Sequence, residues 1–537
     1  MSNYLSNSRD GKSWLSTLDH KRIGVMYLVT ILISFLLGGI FALLIRAEAL
    51  SPGEVLMDAN TFNRLFTFHG VIMIFLFIVP AIPAALGNFV LPLMLGARDL
   101  AYPRMNRLSF WLFAIGSLFT LTFLFINSLA TGWTFYTPYS AAANCRVTFM
   151  VVGLAIMGLS SLLSGLNFIL SIHKFRPAWM SWSKLPLFAW TLYLSSIVNI
   201  FISLVLGVIL QLLIAERFGG KGMFDPALGG DPALFQRLFW LYAHPAIYIT
   251  LLPALGIVSE IIPVFSRKSL FGYKALIFSS AALAFFTLFS WGQHIQTTGQ
   301  SAMTSTIFSL MALIVFIPSA LVIFNWLSTL YKGSISLAAP MLYGLMFIFF
   351  FTLGSLSGLF LGNLTTNVHL HGSTFEIGHL HFMLVGGTLI AFIGGLHFWW
   401  PKMFGRMYSE KWAALSAALI FAGINLSFFP QLVIGVRGMP RRYFNYPVEF
   451  TCENRLSSLG AFLLAAGFVL VTIYLVHSLV KGKTAPANPW GGATLDWSGC
   501  ASPPVEDNFE GTPDEPGDPY DFSKLNYDSE SDSWRSV

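Results

Sequence analysis

The chain has 537 residues, 55% hydrophobic and 10% charged, with a net charge of +6 and mean hydropathy +0.68. That balance excludes a soluble globular domain and fits a polytopic, all-α membrane protein. Three cysteines (Cys145, Cys452, Cys500) exclude a disulfide framework and lack the spacing of a zinc or iron–sulfur site, so any metal is held mainly by other side chains.

Residues 1–23 are polar, with Arg9, Lys12, Lys21 and Arg22 ahead of the first apolar run and no cleavable signal evident. The positive-inside rule makes this a cytoplasmic segment. About twelve runs then reach the ~20 residues that a crossing needs: 24–46, 66–95, 108–128, 147–172, 185–215, 235–265, 272–292, 303–330, 339–361, 376–400, 412–434 and 457–481. They define a transmembrane domain over 24–482. Alternate loops carry Arg98, Arg104, Arg107, Lys174, Arg176, Lys184, Arg267, Lys268, Lys274, Lys332, Lys402, Arg406 and Lys411, as cytoplasmic loops should. Arg437, Arg441 and Arg442 in G-V-R-G-M-P-R-R-Y fall on the opposite side and call for an anionic partner. Cys145 and Cys452 also fall in outer loops, where a disulfide between them is a hypothesis. Residues 483–537 are rich in Pro, Gly and acids and form an extended cytoplasmic tail without enough apolar content for its own core. Its expected place is along the bundle or on another subunit.

Ionisable residues within membrane spans are costly and are functional candidates. Seven histidines lie within or at the ends of spans: His69, His244, His294, His369, His371, His379 and His381. His379 and His381 are two apart on one helix, so their rings point roughly 200° apart and reach metals on opposite faces. His244 and Tyr248 are an i, i+4 pair on one face. His69 stands beside Gly70, where a flat macrocycle has room to approach. In G-Q-H-I-Q-T-T, Gln293 and His294 end an apolar run.

The T-x-H-G-x-x-M stretch at His69, H-P-x-x-Y at His244, the H-x-H pair, W-T-F-Y at Trp133, G-M-P-R-R-Y and L-P-L-M-L-G-A-R-D resemble catalytic subunit I of the haem-copper oxidase superfamily, over nearly all twelve spans in order. The resemblance implies a twelve-helix bundle in a bacterial or archaeal cytoplasmic membrane, with both termini cytoplasmic. His69 and His381 would be the axial ligands of a low-spin haem. His379 would hold a high-spin haem, and His244 and His294 the second metal. Tyr248 would be the tyrosine that oxygen-reducing members link to a metal-bound histidine. Arg441 and Arg442 would pair with haem propionates, with Trp133 packed near them. This sequence has no c-type haem motif or cysteine-rich dicopper motif. Electrons must therefore come from a subunit II-like partner carrying dicopper or c-haem, and a subunit III-like partner is also expected. Lipid surrounds the bundle, and no nucleic-acid partner is expected.

The departures are chemical. Oxygen-reducing members have adjacent histidines where this chain has Gln293-His294, and a glutamine carbonyl is a harder ligand than imidazole. Glu376 lies three residues before His379, on nearly the same face. It either completes the second metal's shell or pairs with a polar group at the haem edge. Asn88, Asp99 and Asn106 match the entrance of one proton path, but Tyr242-Ala243 lacks the serine at its end, and Val322 stands where the other path has lysine. His371-Gly372 lacks the His-Asp pair that holds magnesium. A shell of His244, His294, Gln293 and Glu376 suits non-haem iron, and the leading expectation is nitric oxide reduction to nitrous oxide. The alternative is a cytochrome c or quinol oxidase that reduces oxygen, with copper retained. A third reading is a catalytically silent haem-binding homologue.

Overall fold

A computed structural model of the protein describes residues 3–5, 11–126, 130–142, 146–219, 222–509, 511, 513 and 518–536. Eleven of its helices are long and apolar enough to cross a membrane. In chain order these are α1 (His20–Glu48), α2 (Ala59–Met94), α3 (Pro103–Ile126), α4 (Val147–Phe175), α5 (Leu187–Gly219), α6 (Pro232–Ser266), α8 (Ala302–Leu330), α9 (Ala339–Gly362), α10 (Thr374–Phe404), α11 (Glu410–Val436) and α12 (Val448–Lys481), with the shorter apolar α7 (Tyr273–Thr287) in seventh place. Apolar side chains such as Leu118, Leu204 and Phe278 are exposed, as lipid-facing residues must be. In α6 and α10, by contrast, 89% and 94% of the apolar window is buried. These two central helices carry His244 with Tyr248 and His379 with His381.

The seventh predicted span, 272–292, does not run through as one helix. It stops at Thr287 and tightens into a 3₁₀ turn, Ser290–Ile295. A Cβ on Gly292 would lie 2.2 Å from the Phe308 ring of α8, so only glycine lets the turn pack there. The helix end thereby turns inward and delivers Gln293 and His294 to the interior.

One expectation about the termini changes, and the tail takes the first of its two expected places. Lys21 and Arg22 are buried inside α1 and do not precede it. Arg22 donates to the Tyr4 carbonyl at 2.9 Å and to the Ser13 hydroxyl at 3.0 Å, and for Lys21 the tail supplies the reason. Lys21 Nζ donates to Asn508 Oδ1 at 2.6 Å and to the Glu506 carbonyl at 2.9 Å, with Asp19 at 3.3 Å. Asn508 Nδ2 also donates to the Ala97 carbonyl at 2.8 Å. The tail lies on the bundle and borrows its core: Trp490, Trp497 and Tyr520 are buried, Tyr520 Oη donates to Glu260 Oε1 at 2.8 Å, and Trp534, in a hairpin of strands β1 (Leu525–Asp528) and β2 (Ser533–Ser536), receives the Arg267 guanidinium at 4.0 Å. Cys145 lies outside the described residues, so the outer disulfide has one described partner, Cys452, an exposed free thiol.

Replacing Asn508 with alanine leaves a fully buried ammonium short of an acceptor, a loss on the order of 2–3 kcal/mol. Limited proteolysis should then cut the 483–536 segment sooner than in the parent protein, while the cofactor spectrum is retained.

Candidate functional site

α6, the turn after α7, α9 and α10 enclose a cavity of about 1250 Å³ of non-atom space. Its walls bring together most of the predicted site residues: Trp133, His244, Tyr248, Gln293, His294, Glu376, His379, Arg441 and Arg442. His69 and His381 face each other beyond α10 as a separate pair. His369, at the end of the short helix Leu364–Leu370, is exposed and stands apart.

Hydrogen bonds fix the protonation of each ring. Ser357 gives its proton to the Gly354 carbonyl at 2.9 Å and so accepts from His379 Nδ1 at 3.0 Å, which leaves Nε2 as the free lone pair. Ser290 likewise donates to the Phe286 carbonyl at 3.0 Å and accepts from His244 Nε2 at 2.9 Å. The His244 lone pair is therefore on Nδ1, which faces His294 Nε2 at 3.0 Å. The His294 ring lies flat on Trp240, with centroids 3.8 Å apart and planes at 10°, and Trp240 Nε1 donates to Tyr136 Oη at 2.5 Å. Tyr248 is tilted against His244 at 5.2 Å between ring centroids. Gln293 places its amide end 3.5 Å from His294 Nε2.

Carbonyls can only accept, so His69 Nδ1 donates to Gly38 at 2.9 Å and His381 Nδ1 donates to Ile377 at 2.7 Å. Both Nε2 atoms keep their lone pairs. The two rings are 6.5 Å apart between centroids with planes 4° apart. The space beside Gly70 that the sequence assigned to a macrocycle is taken by Trp133, whose Cβ would lie 3.1 Å from a Cβ added there.

Glu376 makes the pairing that the sequence left as its alternative. One oxygen accepts from His371 Nδ1 at 2.9 Å and the other meets Arg441 Nη1 at 2.5 Å. Backbone pairing sets this up: Arg441 N donates to the Gly372 carbonyl at 2.9 Å, and Thr374 N to the Met439 carbonyl at 2.9 Å. The entrance to α10 is thus stitched to the loop after α11.

A second cavity, about 560 Å³ of non-atom space, lies among α1 to α6 and is lined by Tyr27, Ser160, Ser161, Ser164, Ser195, Ser196 and Asn199, with Phe75, Val79 and Ile249 among its apolar residues. Asn88, whose Nδ2 donates at 2.7 Å to the carbonyl of the lining residue Ala84, and Asn106 are fully buried. Burial pushes the Asp99 carboxyl, in the loop before α3, up to about 7. This cavity shares no lining residue with the first.

Residues 22–463 match the family model described as Cytochrome C and Quinol oxidase polypeptide I. The chain belongs to this family. It is 40% identical over 506 residues to cytochrome c oxidase subunit 1 of Synechocystis sp., covering 94% of this chain and 92% of that protein. Identity to the Thermostichus vulcanus cytochrome c oxidase subunit 1 is 39%, covering 94% and 92%. Identity to the Bacillus subtilis quinol oxidase subunit 1 is 38%, covering 93% and 78%. A cryo-EM structure of a haem-copper terminal oxidase dimer shares the fold, with a TM-score of 0.75 at 20% identity over 86% of this chain and 85% of that one. The protein is thus a catalytic subunit of the haem-copper superfamily and an integral membrane protein, and its family carries a low-spin haem, a high-spin haem and a further metal.

The residues present fit those groups. Two metal–imidazole bonds of about 2 Å, plus about 1 Å from nitrogen to ring centre on each side, make a separation of about 6–6.5 Å, matching the 6.5 Å between His69 and His381. Two bonds of about 2 Å at roughly 90–110° put their nitrogens about 3 Å apart, as in His244 and His294. The positioning partners Ser290, Ser357, Trp240 and Gly38 were not singled out in the sequence. The serines had a signal there, as single hydroxyls within apolar helical stretches; Trp240 and the Gly38 carbonyl had none.

Ser357→Ala should leave His379 with the Gly354 carbonyl as its remaining partner and, as for other partners of metal-bound histidines, cost roughly 10–100-fold in cofactor affinity or activity. Haem content after detergent exchange measures it. Gly435→Ala is expected to lose haem as well, because its Cβ would lie 2.1 Å from Phe375 N and force α11 away from α10.

Proposed function

We propose that this subunit reduces oxygen to water, as the catalytic part of a cytochrome c or quinol oxidase. The observation that carries the reading is Tyr248 on the cavity wall against His244, beside His294 and within the same enclosure as His379. Oxygen reduction takes four electrons and four protons, and a phenol there can lend one of each; nitric oxide reduction takes two and needs no such donor. Relatives at 38–40% identity named as cytochrome c or quinol oxidases support the same substrate.

In this reading His69 and His381 hold the low-spin haem, His379 the high-spin haem, and His244 and His294 the second metal, with Gln293 beside them as third ligand. When bound, these groups supply the electron transfer and the reduction of the gas. The chain orients each imidazole through its second nitrogen, holds Tyr248 at the reacting space and sets Arg441 and Arg442 to receive propionates. Electrons enter from a subunit II-like partner, and a subunit III-like partner completes the complex.

A second reading has a specific observation in its favour. Gln293 gives the second metal two imidazoles in place of three, which suits non-haem iron and the reduction of two NO to N2O and water. Glu376 no longer adds to that argument, since His371 and Arg441 take its oxygens.

Turnover of the purified complex with a reduced donor, followed separately on O2 and NO, discriminates. Fast O2 consumption with one copper in this subunit is the expected result; fast NO consumption with an extra non-haem iron and little copper would replace it with the second reading. Tyr248→Phe should lower O2 turnover by more than tenfold and leave NO turnover within about twofold. Gln293→His should raise copper content, and an unchanged metal ratio would remove Gln293 from the ligand set.

A further inference from the structure

Each imidazole beside the second-metal position is fixed through its own ring. His244 gives its Nε2 hydrogen to Ser290 at 2.9 Å, and His294 lies flat on Trp240. Among the described residues no comparable contact holds the Gln293 side chain, which is long and flexible. Its amide end stands 3.5 Å from His294 Nε2, and its Oε1 lies beside Gly362, 3.7 Å from where a Cβ on that glycine would be. The segment that carries it is a 3₁₀ turn, Ser290–Ile295, and the internal hydrogen bonds of such turns are poorer than those of an α-helix. Whatever fixes Gln293 must therefore reach it from outside the turn.

Asn367 does so. It belongs to the short helix Leu364–Leu370, is buried, and lines the reacting cavity together with Gln293 and His294. Its Nδ2 lies 3.1 Å from the Gln293 carbonyl and 2.7 Å from Gln296 Oε1, and Gln296 Nε2 lies 3.4 Å from the Ser305 carbonyl. The direction of every bond is forced. The Gln293 and Ser305 carbonyls can only accept, so Asn367 turns its NH2 to Gln293 and Gln296 turns its NH2 to Ser305. That leaves the Gln296 oxygen for the second Asn367 hydrogen, and an amide reversed at either position would set oxygen against oxygen. Both ends of this clasp are on α8. Ser305 takes Gln296; one turn further on, Ser309 donates to the Gly362 carbonyl at 2.7 Å and accepts from Leu364 N at 3.1 Å, which sets the start of the helix that bears Asn367. Gln296, Ser305, Ser309 and Asn367 are all buried, so a bond lost here is not replaced by water.

We propose that Asn367, aligned by Gln296, is the residue that positions Gln293 as third ligand of the second metal. It donates to the main chain of Gln293 itself and so sets where that side chain begins, while Gly362 leaves free the space that the amide end occupies. Asn367 is a positioning residue, acting on the metal through Gln293. Both members of the clasp are neutral amides, so the turn gains a fixed point without added charge beside the metal. The proposal rests on the reading of His244, His294 and Gln293 as ligands, and it holds for copper or non-haem iron.

The test counts metal in the whole complex. After dialysis against graded EDTA, copper and iron are measured relative to haem. Asn367→Asp keeps the size of the side chain but has no amide hydrogens to give. The EDTA concentration that removes half of the second metal should fall by about tenfold or more, as for other groups that support a metal ligand, with both haem spectra retained. In a Gln293→Ala background, where the ligand is already gone, the same change should cost less than about twofold more, whereas a purely structural role would add its full loss in either background. Equal losses in the two backgrounds overturn the clasp, and so does parent-like retention in Asn367→Asp when Gln293→Ala loses the metal. Should Asn367→Asp lose haem, Gln296→Leu is the second variant, which spares the Asn367 bond to Gln293 but removes its alignment. Weaker metal retention with haem intact supports the clasp there, and a parent-like midpoint overturns it. Parent-like retention in Gln293→Ala would instead overturn the ligand reading on which the clasp stands.

Discussion

Hydrocarbon offers no water to satisfy a stray polar atom, and this constraint organises the whole interior. An imidazole that presents one nitrogen to a cofactor must place the other on a protein partner. The partners are the hydroxyls of Ser357 and Ser290 and the carbonyls of Gly38 and Ile377. Because each has only one role open to it, each also fixes which nitrogen keeps its lone pair. The ring orientations are therefore set by neighbours one helix away or one turn back, before any cofactor enters.

The same constraint explains the charges. Arg441 and Glu376 offset each other within the enclosure, and His371 satisfies the second carboxylate oxygen. Backbone pairing of 372–374 with 439–441 holds the two halves of this cluster in register. A loop that looked in the sequence like an unpartnered run of arginines is, in the fold, one side of a charge cluster built on the entrance of α10.

Eleven of the twelve spans, and the histidines that line the cavity, were legible because membrane spans follow from length and hydropathy alone, and because intramembrane histidines are few. Where α7 ends was not. The apolar run continues to Trp291, while the chain leaves the helix at Thr287 because of Gly292 against Phe308, a contact made across more than fifteen residues. Glu376 could be placed on the correct helical face, but its partner could not be chosen, because Arg441 arrives from another loop through backbone pairing that leaves no side-chain pattern. Lys21 was read as an aqueous flank for the same reason: its acceptors Glu506 and Asn508 are nearly five hundred residues away, whereas Arg22 is held closer by, on the Tyr4 carbonyl and the Ser13 hydroxyl.

That last contact bears on biogenesis. The amino-terminal helix is made first, yet its buried ammonium obtains its acceptors only when Glu506 and Asn508 have been synthesised and folded back. Until then Lys21 has Asp19 as its nearby partner, so the first turn of α1 stays hydrated while the other helices are inserted. Closure of that end over Lys21 is therefore a late event in folding, dependent on the last residues of the chain to be made.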